Sequence, residues 1–247
     1  MAKKALEIDP TLAEAHSSLG IIYSWLDYDW TAAEMEFKRA FALNVNSAYA
    51  HLWYAFLLLA LERSDESIAE AKRAVELDPL SPEANTSLGM CLFYARRYDE
   101  AMQQLRTTIE LEPNYWFAHL YLARVHEKKG DLPAAIAELE KTRRMEGAIP
   151  EVSSALGYAY AISGEKEEAR KIILELKELS KQSYVSSYNI ATMYAGLGEK
   201  DQAFAYLDKE YKEGAYYLDF LKVDPELDSL RSDQRFTALL KKVGLEK

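Results

Sequence analysis

The chain has 247 residues, 49% of them hydrophobic, and a formal net charge of −10. That apolar share is ample for a folded core, while the acidic balance argues against a nucleic-acid backbone or an anionic membrane as the main partner, since both attract clustered Lys and Arg. A single cysteine, Cys91, excludes an internal disulfide framework and a cysteine-rich zinc site, and its apolar neighbours Met90, Leu92 and Phe93 mark it as a buried, inert thiol.

Taken in order, residues 1–12 read as the end of a helix, with Ala5, Leu6 and Ile8 followed by Asp9-Pro10. From Ala13 onward a two-helix pattern runs through six segments: 13–47, 48–81, 82–115, 116–149, 150–183 and 184–217. The third is the clearest. Ala84, Leu88 and Leu92 recur every four residues, and Ala101, Leu105, Thr108 and Ile109 follow at steps of three and four after a polar turn. That is the period of amphipathic helices, not of strands. Ser81-Pro82 is a start signal, because the hydroxyl can cap free amides and proline suits the first turn. Glu112-Pro113 is a stop signal, because the residue before proline is pushed out of helical geometry.

The position of Gly89 reads Gly20, Ala55, Gly89, Ala123, Gly157 and Ala191 along the chain. That of Ala101 reads Ala33, Ser67, Ala101, Ala135, Ala169 and Ala203, always 34 residues apart. Small residues at both places let paired helices approach closely. The one insertion falls in the first turn, at Asp27-Tyr28-Asp29-Trp30, where Trp25 and Trp30 are expected to pack over the turn or to form a contact. The second segment opens with the most apolar helix, AYAHLWYAFLLLALE, which needs cover on nearly every side. In the fourth, Asp131 is placed to cap and Pro133 sits in a first turn, while Gly147 and Lys181 replace the proline near the ends of the fourth and fifth. After Tyr217 the period stops. Asp224-Pro225 begins a short helix, and Ser232-Asp233 another with the stripe Phe236, Leu239, Leu240 and Val243, closed by Gly244. Residues 218–247 are therefore expected to cap the last repeat.

A 34-residue helix-turn-helix carrying Leu19-Gly20 with Tyr23, Ala33 with Phe37, Leu156-Gly157 with Tyr160, and Asp78-Pro79 resembles the tetratricopeptide repeat. The resemblance implies an all-α solenoid, a right-handed superhelix of antiparallel helix pairs. On it, residues 1–12 match the last part of a repeat, so the chain is expected to be a piece of a longer protein. The run from Leu221 to Leu245 is similar to the tail of such regions in bacterial multidomain signalling proteins, which often carry a winged-helix or a serine/threonine kinase domain elsewhere.

In this family the first helix of each repeat lines a concave groove. Carried over, the groove positions are Tyr49, Leu52, Trp53 and Phe56 in the second repeat, and Thr86, Ser87 and Met90 in the third. Phe117, Leu120, Tyr121 and Arg124 follow in the fourth, then Tyr158 with Glu151, and Tyr188, Asn189 and Thr192. Aromatic and arginine anchors in a concave surface suit a peptide or partner domain. The lysines of the clamp that holds acidic chaperone tails are absent: the fifth and ninth positions, Leu52, Leu120, Phe56 and Met90 among them, hold no lysine.

His16, His51 and His119 share one position in three repeats, which sets them at separate levels and disfavours a common metal. His-Glu-x-x-His, Gly-x-Ser-x-Gly and phosphate-loop motifs are absent, so no catalysis, metal or cofactor is expected. A buried cluster of ionisable groups in a closed pocket is the feature that would argue otherwise. No run reaches the roughly 20 apolar residues of a membrane span. The expectation is a protein-interaction scaffold, with a cis-acting regulatory or sensor domain as the alternative. It is expected to be monomeric or weakly dimeric, and cytoplasmic unless a removed N-terminal anchor placed it outside.

Overall fold

A computed structural model describes residues 2–146, 149–214 and 216–246, and every regular element among them is a helix. A short α1 (Ala2–Ile8) precedes six helix pairs. These are α2 (Ala13–Trp25) with α3 (Trp30–Leu43), α4 (Ala48–Ala60) with α5 (Ser64–Leu77), and α6 (Pro82–Tyr94) with α7 (Tyr98–Leu111). Then come α8 (Trp116–Lys128) with α9 (Leu132–Glu146), α10 (Pro150–Ser163) with α11 (Lys166–Leu179), and α12 (Ser187–Gly196) with α13 (Lys200–Glu213). Two 3-10 stretches, Tyr216–Phe220 and Pro225–Leu230, lead to α14 (Gln234–Lys242).

The start signals act as local chemistry dictates. Ser47, Ser81, Asp29 and Asp131 each accept a hydrogen bond from the amide three residues on, at 3.0–3.2 Å. Loop 26–29 is one residue longer than loop 61–63, as the insertion requires. Gly147 lies outside the described residues. Where Lys181 stands in place of proline, the link from α11 to α12 lengthens to residues 180–186.

Each first helix packs on its own second helix and on the first helix of the next pair. Close approach depends on the small positions. Ala33, Ser67, Ala101, Ala135, Ala169 and Ala203 all have 0% exposure. A methyl group on Gly20 would stand 2.7 Å from the Phe37 ring, and one on Gly89 2.6 Å from Leu105. Nothing larger than hydrogen fits there unless the buried Phe37 or Leu105 side chain shifts.

The three equivalent histidines tie the pairs together. Nδ1 meets Glu36, Glu70 and Glu138 of the second helix at 2.6, 2.5 and 2.5 Å. Nε2 meets the carbonyls of Pro10, Val45 and Pro113 in the preceding loops at 3.2, 2.8 and 2.9 Å. Carbonyls and carboxylates only accept, so His51 and His119 are held best with both nitrogens protonated. The bond to Glu138 raises the His119 pKa against the effect of burial. At His51 burial opposes the charge, but the bonds to Glu70 and Val45 outweigh it. In the third repeat Asn85 makes the same tie without charge, donating to Pro79 at 3.0 Å and accepting from Gln104 at 2.7 Å.

The turn between paired helices needs one left-handed residue per repeat. Gly130, Gly164 and Gly198 supply it in the last three, but Tyr28, Glu62 and Arg96 hold it in the first three, at φ of 50°, 58° and 61°. A non-glycine residue there is strained by roughly 1–2 kcal/mol. The side chains reach the C-terminal part of the chain: Tyr28 stacks on Tyr211, Glu62 pairs with Lys222 at 2.7 Å, and Arg96 grips Asp228 with two bonds of 2.8 Å.

That C-terminal part follows two courses. α14 lies along α13, pinned by Arg235 to Asp201 and Lys242 to Asp208 at 2.8 and 2.6 Å. Residues 216–230 instead cross the concave side, touching α2, α4 and α12. The chain then closes on its beginning, where the Trp30 indole donates to the carbonyl of Val243 at 2.8 Å.

Candidate functional site

The crossing segment divides the concave side and leaves a chamber of about 360 Å³. Trp53 and Phe56 reach it from α4, Ser87, Met90 and Tyr94 from α6, and Trp116, Phe117, Leu120, Tyr121 and Arg124 from α8. Tyr188 and Asn189 come from α12, and Tyr217 and Phe220 from the crossing segment. The rings brace one another edge to face: Trp25 on Trp53 at 4.6 Å, Trp53 on Phe56 at 5.5 Å, and Phe117 on Tyr121 at 5.2 Å. Phe220 is the keystone, stacked on Tyr94 at 5.0 Å with an interplanar angle of 4° and set edge-on against Phe56 at 6.1 Å.

Eleven of the sixteen residues expected in the groove therefore line one space: Trp53, Phe56, Ser87, Met90 and Phe117, then Leu120, Tyr121, Arg124, Glu151, Tyr188 and Asn189. Five do not. Leu52 and Thr86 are buried in helix packing, while their neighbours Trp53 and Ser87 face the chamber. Thr192 is buried, its hydroxyl donating to the Asn189 carbonyl of its own helix. Tyr158 binds Lys128 at 3.2 Å beyond the chamber wall. Tyr49 is half exposed beside Trp53, outside the chamber. Phe220, Tyr217, Trp25 and Trp116 are chamber residues that groove numbering does not reach. The nearest sequence signal is the break from glycine at Tyr28, Glu62 and Arg96.

One end of the chamber carries a buried ionic cluster. The Arg124 guanidinium lies over Tyr121 at 5.2 Å, and its Nε stands 3.1 Å from Glu226 without the alignment of a hydrogen bond. The Tyr188 hydroxyl donates to Asp224 at 2.7 Å, and Lys128 pairs with Glu127 at 2.7 Å and approaches the Pro225 carbonyl. Burial pushes the Glu226 carboxyl up to about 8; Arg124 opposes this, while Asp224 and Glu127 reinforce it. Asp219, buried with one oxygen unpartnered, is likewise pushed well above the usual carboxylate range by burial. Cys91 is fully buried and its thiol is pushed up to about 12 by burial, which suits an inert side chain. Among the described residues, no helix is long and apolar enough to cross a membrane.

Repeating helix pairs of 34 residues and a ring-lined concave side define a class, and comparison with known proteins places the chain within it. The tetratricopeptide repeat profile matches residues 29–82, 57–115, 86–148 and 122–184, and the chain belongs to that family. A stretch of 90 residues is 32% identical to a chloroplastic protein of Arabidopsis thaliana; it covers 34% of this chain and only about a quarter (26%) of that protein. A tetratricopeptide repeat protein from Parabacteroides merdae is similar over 98% of this chain and 90% of its own, with a TM-score of 0.68 at 15% identity. PilW, a type IV pilus biogenesis factor, is similar over 74% of this chain and 84% of its own, with a TM-score of 0.61 at 24% identity. At these identities the two structures share the fold alone. Proteins built of these repeats commonly serve as interaction scaffolds.

Proposed function

We propose that this protein is a non-catalytic interaction scaffold that takes anchor side chains of a protein partner into its concave aromatic chamber. The observation that carries the reading is the chamber itself, a preformed, ring-walled space bordered by half-exposed Tyr49. Burying an aromatic anchor in such a space costs little ordering on the scaffold side. The buried charges do not call for catalysis. Arg124, Lys128 and Tyr188 all engage residues 224–226, so the cluster reads as the anchor of the crossing segment.

Affinity capture with wild type and a Trp53→Ala/Trp116→Ala variant, checked for fold by circular dichroism, tests the scaffold. A partner kept by wild type and lost by the folded variant supports the chamber. A partner held equally by both places the binding surface elsewhere.

A second reading is favoured by the crossing segment. It occupies much of the concave side with the chain's own residues, and what remains is closer to a small-ligand site than to a peptide groove. A cis-acting sensor domain would use such a chamber, its occupancy altering how the solenoid meets the rest of a larger protein.

A further inference from the structure

Among the residues that line the chamber, the unmet polar demand is of one sign; the unpartnered oxygens of Glu226 and Glu127 lie outside the lining. Arg124 is only 8% exposed, and among the described residues its guanidinium makes no hydrogen bond, although it lies against Glu226 and the Tyr121 ring and feels the charge of Asp224. Trp53 Nε1, which nears the Tyr49 hydroxyl without an aligned bond, and Asn189 Nδ2 are also buried in this wall and unsatisfied. All three groups donate, and buried donors call for acceptors. The two acids of the lining answer little of this: Glu151 accepts from the Tyr217 hydroxyl at 2.9 Å, and Glu83 is exposed. Lys128, the other cation nearby, is already matched by Glu127 at 2.7 Å.

Shape restricts the occupant further. With Phe220 seated between Phe56 and Tyr94, an extended chain has no straight path along the concave side, and about 360 Å³ remains. Sites of roughly 300–1,000 Å³, mostly apolar with a few placed polar groups, suit small organic molecules. A planar guanidinium edge matches a carboxylate through two parallel hydrogen bonds. We propose that the chamber binds a small organic carboxylate with an aromatic or apolar body, the body among Trp53, Phe117 and Phe220 and the carboxylate on Arg124. The proposal rests on the sensor reading of the chamber. Glu226 is the internal competitor for Arg124. Its burial beside Asp224 and Glu127 favours the neutral form, which leaves the guanidinium available.

Isothermal calorimetry on the full chain, with 4-phenylbutyrate, 4-phenylbutyramide and 4-phenylbutylamine as probes, tests this. The expected result is saturable binding of the acid, with the amide and the amine weaker by about tenfold or more. Arg124→Gln should remove the preference of acid over amide while leaving amide binding in place. Because Arg124 is buried, its variants are first checked by circular dichroism. Glu226→Gln gives an independent arm, since removing the competitor should leave acid binding as tight as in wild type or tighter. Equal binding of acid and amide by wild type would overturn the carboxylate assignment and leave an apolar site. Tighter binding of the amine, loss of acid binding in folded Glu226→Gln, or no saturable binding of any probe would overturn the proposal. A protein partner captured through Trp53 while all three probes fail would leave the scaffold standing without the ligand. An extended peptide ending in Phe that binds where phenylbutyrate does not would also overturn it, in favour of an open groove.

Discussion

The first three repeats and the last three are built on one plan, yet their turns differ. In the later turns Gly130, Gly164 and Gly198 adopt the left-handed conformation and meet nothing. In the earlier ones Tyr28, Glu62 and Arg96 carry the same backbone under strain, and each side chain touches residues beyond position 210. A glycine turn only reverses the chain. A strained turn with a side chain also holds something, and the strain is offset by what it holds.

The sharpest way to break this division is to remove the keystone. Phe220→Ala should cost about 3–5 kcal/mol, read as a lowered denaturant midpoint, because it deletes a buried ring stacked on Tyr94 and set edge-on against Phe56. Amide exchange should quicken first in residues 216–230, while α9 to α11 keep their protection. Loss of protection spread evenly over all repeats would deny the crossing segment a separate identity.

Proton linkage gives the next largest effect. His51 and His119 have raised pKa values in the folded protein, so the stability they supply is complete below about pH 6.5 and is lost as pH rises through the folded values. Glu226 points the same way, since its raised carboxyl is ionised only in the unfolded chain between about pH 4.5 and about 8. Thermal midpoints should fall from pH 6 to pH 9. Glu226→Gln should flatten part of that slope, and a midpoint rising with pH would contradict the assignment.

Smaller changes separate the two kinds of turn directly. Gly164→Ala should cost about 1 kcal/mol, since the methyl meets no atom but the backbone φ of 95° suits only glycine. Arg96→Gly should be near neutral, because relief of strain offsets an exposed ion pair worth roughly 0–1 kcal/mol. Chemical denaturation of both variants measures the contrast. Clear stabilisation by Arg96→Gly would mean that Arg96 holds nothing of value, since only the strain would have been lost.

Local rules carried much of this architecture into the sequence. The 34-residue register, the serine and aspartate caps and the small contact positions depend on neighbours a few residues away, or on the same place one repeat on. Groove numbering found Trp53, Phe117, Tyr121 and Arg124 for that reason. It could not find Phe220, because a ring that packs on Tyr94 from more than a hundred residues away leaves no period to read. Leu52 and Thr86 lie one helix position from chamber residues, and the tilt of each helix decides whether one neighbour faces inward or both do, as Leu120 and Tyr121 show.

The bond from Trp30 to Val243 joins parts of the chain 213 residues apart, and it bears on how the protein is made. A stacked array can ordinarily fold as it emerges from the ribosome, each repeat settling on the one before. Here Trp53 and Phe56 emerge long before Phe220. At roughly 5–20 residues per second, their concave face waits about ten to thirty seconds for its cover. During that interval the nascent chain presents a bare aromatic surface, the kind of surface that chaperones bind and that aggregation exploits.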